Sequence, residues 1–160
     1  MDQLNSSQIE EYLHRSYEAV DGLWFMKVEE QYGFDKALEI DNEVWKVLPK
    51  IQARMLKSFM KKNSGLEDLF QCCTTKLTLD GFKYKSEKKG NGFTIIIERC
   101  PWHDLMVKSG RHDLSEKIGT RICNTEYAVW ASEFNVYIDF KIQEQICNGS
   151  ASCILQFQSV

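Results

Sequence analysis

Lys89-Gly90-Asn91-Gly92-Phe93-Thr94-Ile95-Ile96-Ile97-Glu98-Arg99 is where the chain changes its hydrophobic period. Gly90-Asn91-Gly92 is a strong turn signal, so a hairpin between 76–87 and 93–99 is expected. Thr94-Ile95-Ile96-Ile97 is apolar on both faces, as a covered central strand would be. N-terminal to this point apolar residues recur every three or four positions. Ile9, Leu13, Tyr17, Val20, Trp24 and Val28 predict a helix over 7–32, capped by Ser6 or Ser7 with Glu10 reaching back and ended by Gly33. Ala37, Ile40, Val44, Leu48, Ile51, Met55 and Phe59 predict a second helix from about 35 to 61, kinked at Pro49. Leu66, Leu69, Phe70 and Cys73 form one face of a short third helix, with Cys72 at its margin.

C-terminal to the hairpin, 100–111 reads as a loop, followed by two short helices over 114–123 and 125–135, the second capped by Thr125 or Asn124. Apolar and polar residues then alternate from Val136 to Ile146, a half-buried strand. Asn148-Gly149-Ser150 turns the chain, and Cys153, Leu155 and Phe157 return on another strand. Long helices followed by antiparallel strands specify an α+β fold, with the N-terminal helices packed on a C-terminal sheet in a single domain over 1–160.

Composition narrows the function classes. The 160 residues carry 20 Lys and Arg against 23 Asp and Glu, a net charge of −3, so no basic field argues for nucleic acid. No run approaches 18 apolar residues and the polar start carries no secretory pattern, so neither a membrane span nor export is expected. A cytoplasmic setting with reduced thiols follows for the six cysteines.

Four of these, Cys100, Cys123, Cys147 and Cys153, fall at the ends of expected elements, where residues from different strands and helices converge. Convergence is what tetrahedral thiolate ligation needs, although the spacing lacks a Cys-x-x-Cys pair; unrelated buried thiols are the alternative. Cys100-Pro101-Trp102-His103 is the sharpest local feature. His103 is placed to ligate a metal or to act as general base to a Cys100 nucleophile. Lys108, Arg111 and Arg121 would favour a thiolate or hold an anionic ligand. Trp24, with Phe25, Tyr32 and Phe34, either lines a ligand pocket or belongs to the core. The adjacent Cys72 and Cys73 point about 100° apart on a helix and are poor joint ligands.

The segment 21–41 with Trp45, then Cys100-Pro101, Cys123, Cys147 and Cys153-x-x-x-Phe157, resembles the L-2-amino-thiazoline-4-carboxylic acid hydrolase-like family of small prokaryotic proteins. The order of elements is also similar to the 4-vinyl reductase domain, a small-molecule-binding fold. The resemblance implies an oxygen-averse cytoplasm in anaerobic bacteria or archaea, where exposed thiolates and iron–sulfur clusters survive.

Three functions compete. The first is a metalloprotein whose Cys100, Cys123, Cys147 and Cys153 hold an iron–sulfur cluster or zinc, binding or transforming a small, sulfur-containing molecule. The second is a metal-free hydrolase in which Cys100 attacks a cyclic thioimidate and His103 moves the proton. The third is a non-catalytic sensor or adaptor that binds a small molecule in a pocket behind Trp24; Trp24 and Arg111 are the candidate ligand-binding residues. A homodimer is expected from the surplus of apolar surface at Trp24, Phe25 and Trp45.

Overall fold

The computed structural model describes residues 3–135 and 137–160; Val136, first residue of the expected strand, lies outside them. The element order is α1 (Ser6–Tyr32), α2 (Phe34–Trp45), α3 (Leu48–Met60), α4 (Leu66–Leu79), β1 (Lys83–Lys89), β2 (Gly92–Arg99), α5 (Pro101–Lys108), α6 (His112–Phe134), β3 (Ile138–Glu144) and β4 (Cys153–Ser159). A 3-10 turn, Ile146–Asn148, lies between β3 and β4. This is an α+β architecture. It divides into two compact units, 1–41 and 42–160.

In the first unit α1 is capped by Asn5, one residue before the expected serines. Asn5 Oδ1 accepts from the Gln8 amide at 2.9 Å, and Gln8 Oε1 accepts from the Asn5 amide at 3.0 Å. Two orphan amides are thereby satisfied reciprocally. Gly33, at φ 84°, ends the helix, its amide donating to the Glu29 carbonyl at 2.8 Å. Phe25 meets Phe34 edge-on across that break, ring centroids 5.8 Å apart.

In the second unit the expected kink at Pro49 is instead a break. α2 stops at Trp45, and Pro49 sits in the first turn of α3, where a missing amide removes no helical bond. α4 runs on to Leu79, so β1 starts at Lys83 rather than at Lys76. Cys72 is not marginal: it and Cys73 are both 0 % exposed, because α3 packs along α4 and sets Met60 Sδ 4.0 Å from Cys72 Sγ. The segment 100–111 is not a loop, since Pro101 at the first helical position starts α5. α6 runs unbroken past Asn124, whose side chain donates to the Thr120 carbonyl at 2.6 Å within the helix instead of capping a new one.

The sheet is antiparallel throughout, in the order β1-β2-β4-β3. Its register sets Phe93 opposite Phe157 and Ile95 opposite Leu155. These four, with Ile97, turn one face toward Leu69, Cys73 and Leu77 of α4 and Tyr127, Trp130 and Phe134 of α6 in a single apolar cluster.

Candidate functional site

The four late cysteines come from four places in the 42–160 unit. Cys100 closes β2 and caps α5, Cys123 is in the middle of α6, Cys147 is in the 3-10 turn, and Cys153 opens β4. Register does the first part of the assembly: Cys153 pairs with Ile97, three residues before Cys100. Gly119 does the second. A Cβ there would lie 2.8 Å from Cys147 Sγ, so only glycine lets that sulfur rest directly on α6, one turn before Cys123. The Ile146 amide, next to Cys147, reaches the Cys153 sulfur at 3.2 Å. All four are thus within electrostatic reach as a group: Cys123 of the other three, Cys153 of Cys100 and Cys147.

Burial is the dominant influence on all four thiols; neighbouring thiols add to it at Cys100, Cys123 and Cys147, while the Ile146 amide opposes it at Cys153. It pushes Cys100 up to about 12, although the amides of His103 and Trp102 face its sulfur and pull the other way. Those amides do not complete a cap hydrogen bond. Burial raises Cys123 well above the ordinary thiol value, and raises Cys147 and Cys153. A buried, protonated thiol is a weak nucleophile. His103 is on α5 with Nδ1 2.8 Å from Ser115 Oγ, and its ring centroid is 6.1 Å from that of His112. What reaches Cys100 from His103 is the backbone amide. Arg111 stands at the N-cap of α6, partly exposed, while Lys108 and Arg121 are exposed. Trp24, in the other unit, is 53 % exposed. Among the described residues no group of three or more His, Cys, Asp or Glu stands in ligating positions.

Beside the thiols lies a charged group that sequence reading misses. Lys76 Nζ is 2.5 Å from Glu126 Oε1 and 3.0 Å from Asp80 Oδ2, with the Lys76 and Glu126 side chains only 4 % and 8 % exposed. The Lys76 ammonium is the partner of Glu126 Oε1, in a charge-assisted contact. Burial works against the Lys76 charge, but the two carboxylates outweigh it and raise its pKa. Burial also raises Glu126, offset only in part by Lys76. Phe82 and Tyr127 complete the surroundings, their ring centroids 5.5 and 5.7 Å from the ammonium. One signal was available: Lys76 follows Leu69 and Cys73 at helical spacing on an otherwise apolar stripe.

Two polar atoms outside this group are buried without a hydrogen-bond partner, Trp130 Nε1 on α6 and Gln52 Oε1 on α3. Trp130 is 0 % exposed. The two helices pack together, with Arg54 reaching Glu133 through two hydrogen bonds of 2.9 and 3.0 Å and Lys57 donating to the Glu133 carbonyl.

No curated protein matches the sequence. A crystal structure of the phenol-responsive sensory domain of the transcription activator PoxR with phenol is similar in fold, with a TM-score of 0.55 and 11 % identity. The match covers 89 % of this chain and 73 % of that one. Among the described residues no helix is long and apolar enough to cross a membrane. Residues 4–154 match the model of a family of unknown function, DUF6125, and the chain belongs to that family.

Proposed function

We propose that this protein is a small-molecule sensor whose ligand is recognised between α3 and α6. The observation that carries the reading is the orphaned pair, a buried donor at Trp130 Nε1 and a buried acceptor at Gln52 Oε1. An unpaired buried polar atom costs about 1–3 kcal/mol, so each of the two, on helices that pack together, favours a polar guest. A ligand hydroxyl is the group that can accept from an indole N–H or donate to an amide oxygen. Ala53 and Phe134 are buried on the same two helices, so the guest this reading requires is a hydroxyl on an apolar frame. The fold shared with a phenol-responsive sensory domain supports this class, as does the resemblance to 4-vinyl reductase domains.

Thermal unfolding with and without phenol tests it. Phenol at a hundred times its dissociation constant should add about 2.7 kcal/mol of stability. Trp130→Phe keeps the ring and removes the donor, and should weaken binding about tenfold. No shift with phenol, cresols or benzyl alcohol would sink the reading.

The convergence of Cys100, Cys123, Cys147 and Cys153 favours a second role at a different place. Four soft donors on separate elements suit zinc or an iron–sulfur centre, with ligation requiring the sulfurs to turn toward one another. Bound there, the metal would supply a staple between β2, α6 and β4. The raised thiol pKa values imply that loading releases protons and weakens as pH falls. Metal content of anaerobically purified protein should be near one site per chain. Single Ser variants at those four positions should lose it, while Ser at Cys72 or Cys73 retains it. Equal content across all six variants would refute shared ligation.

A further inference from the structure

The first five turns of α1, at about 3.6 residues each, carry an apolar stripe that no charged residue interrupts. Ile9, Tyr12, Leu13, Val20, Leu23 and Trp24 are between 46 % and 68 % exposed. At 100° per residue they fall within about a third of the helix circumference. Ile9, Leu13, Val20 and Leu23 keep the alternating four- and three-residue steps of a heptad seam, with Ser16 as the missing member. The Ser16 hydroxyl is spent internally, donating to the Tyr12 carbonyl at 2.7 Å. Polar and charged groups lie on the opposite side: Arg15 pairs with Glu11 at 2.7 Å, and His14 Nε2 lies 3.2 Å from Glu18 Oε1. Phe25, which turns away from the stripe, meets Phe34, and the Lys27–Glu30 pair at 2.8 Å closes the stripe's end.

We infer that this stripe is the surface on which two copies of the chain associate. Six large side chains at about half to two-thirds exposure supply the apolar centre of an interface, which in standard size buries ~800 Å² from each partner. A heptad seam is complementary to itself about a two-fold axis. Arg15 is the sole Lys or Arg between 3 and 26, against Glu10, Glu11, Glu18 and Asp21. That balance repels an anionic bilayer and leaves a second seam as the fitting occupant. Phe25 and Trp45, which sequence offers for the same role, are withdrawn from it, being 8 % and 4 % exposed.

Sedimentation of the full chain between 1 and 100 μM, as roughly the range of ordinary dimers, decides the matter. A dimer is expected, and Leu13→Glu with Val20→Glu should raise its dissociation constant about 100-fold or more. Ser16→Leu, which completes the seam, should tighten the dimer about tenfold, a gain that misfolding does not produce. Arg15→Ala, on the far side, should leave it unchanged. A monomeric wild type throughout, a double variant that still dimerises, or a Ser16→Leu variant that is no tighter would each overturn the inference. So would a monomer that binds zwitterionic vesicles through the same residues.

Discussion

Replacing Lys76 with Met is expected to destabilise the 42–160 unit by about 3–5 kcal/mol, among the largest single effects in the protein. The substitution keeps the hydrocarbon length and deletes the charge, so Glu126 and Asp80 are left facing an apolar end with Glu126 buried. For a domain of this size the melting temperature should fall by about 2–4 °C per kcal/mol. Removing both charges, as Lys76→Met with Glu126→Met, should recover much of the loss, because two apolar side chains need no partner. The pH dependence follows from the Lys76 shift. Its pKa is raised in the folded state, so this contribution is complete below the ordinary lysine value of about 10.4 and is lost as pH rises through it toward the folded value. Denaturant melts of the three proteins check the prediction. A single variant within 1 kcal/mol of wild type, on the order of a surface change, would show that the ion pair is solvated.

Phe157→Ala should cost about 3–5 kcal/mol for a different reason. The ring is 1 % exposed and sits at the centre of an aromatic group, 4.7 Å from Phe93, 5.0 Å from Phe140 and 6.4 Å from Tyr127. Truncation loses the transfer energy of the ring, several favourable ring contacts, and leaves a cavity between β4 and α6 that packed strands cannot close. Phe59→Ala is the control, because that ring is 71 % exposed on α3 and its loss should stay within about 0.5 kcal/mol. Comparable losses in chemical denaturation for the two variants would place the core elsewhere.

Much of the architecture is legible in the residues. The three-to-four period of α1, the Gly90-Asn91-Gly92 turn and the alternation around Leu155 and Phe157 are local signals, and each element they specify forms. Local signals also misplace boundaries where two of them compete. Pro49 is compatible with both a kink and a start, and Pro101 with both a loop and a first turn; what packs around them selects the second in each case. Asn124 is a cap only if its helix is broken, and burial of Ile122 before it and of Tyr127, Trp130 and Phe134 after it, the last three in the cluster with the sheet, keeps α6 whole.

The sequence by itself determined that the class is α+β, that Cys100 and Cys153 stand at strand ends, and that α1 is amphipathic, because period and turn chemistry act within a few residues; the helix end expected at Cys123 does not form, since α6 runs through it. Which thiols share a neighbourhood was decided by strand register, which brings Cys153 beside Ile97, and by the Cβ-free surface of Gly119 under Cys147. The buried charges of Lys76 and Glu126 and the unpaired atoms of Trp130 and Gln52 were likewise decided by packing. A polar residue on a helix face has the same local pattern whether water or another helix covers it. Its burial is a property of the neighbour, and for Lys76 that neighbour is 50 residues away along the chain.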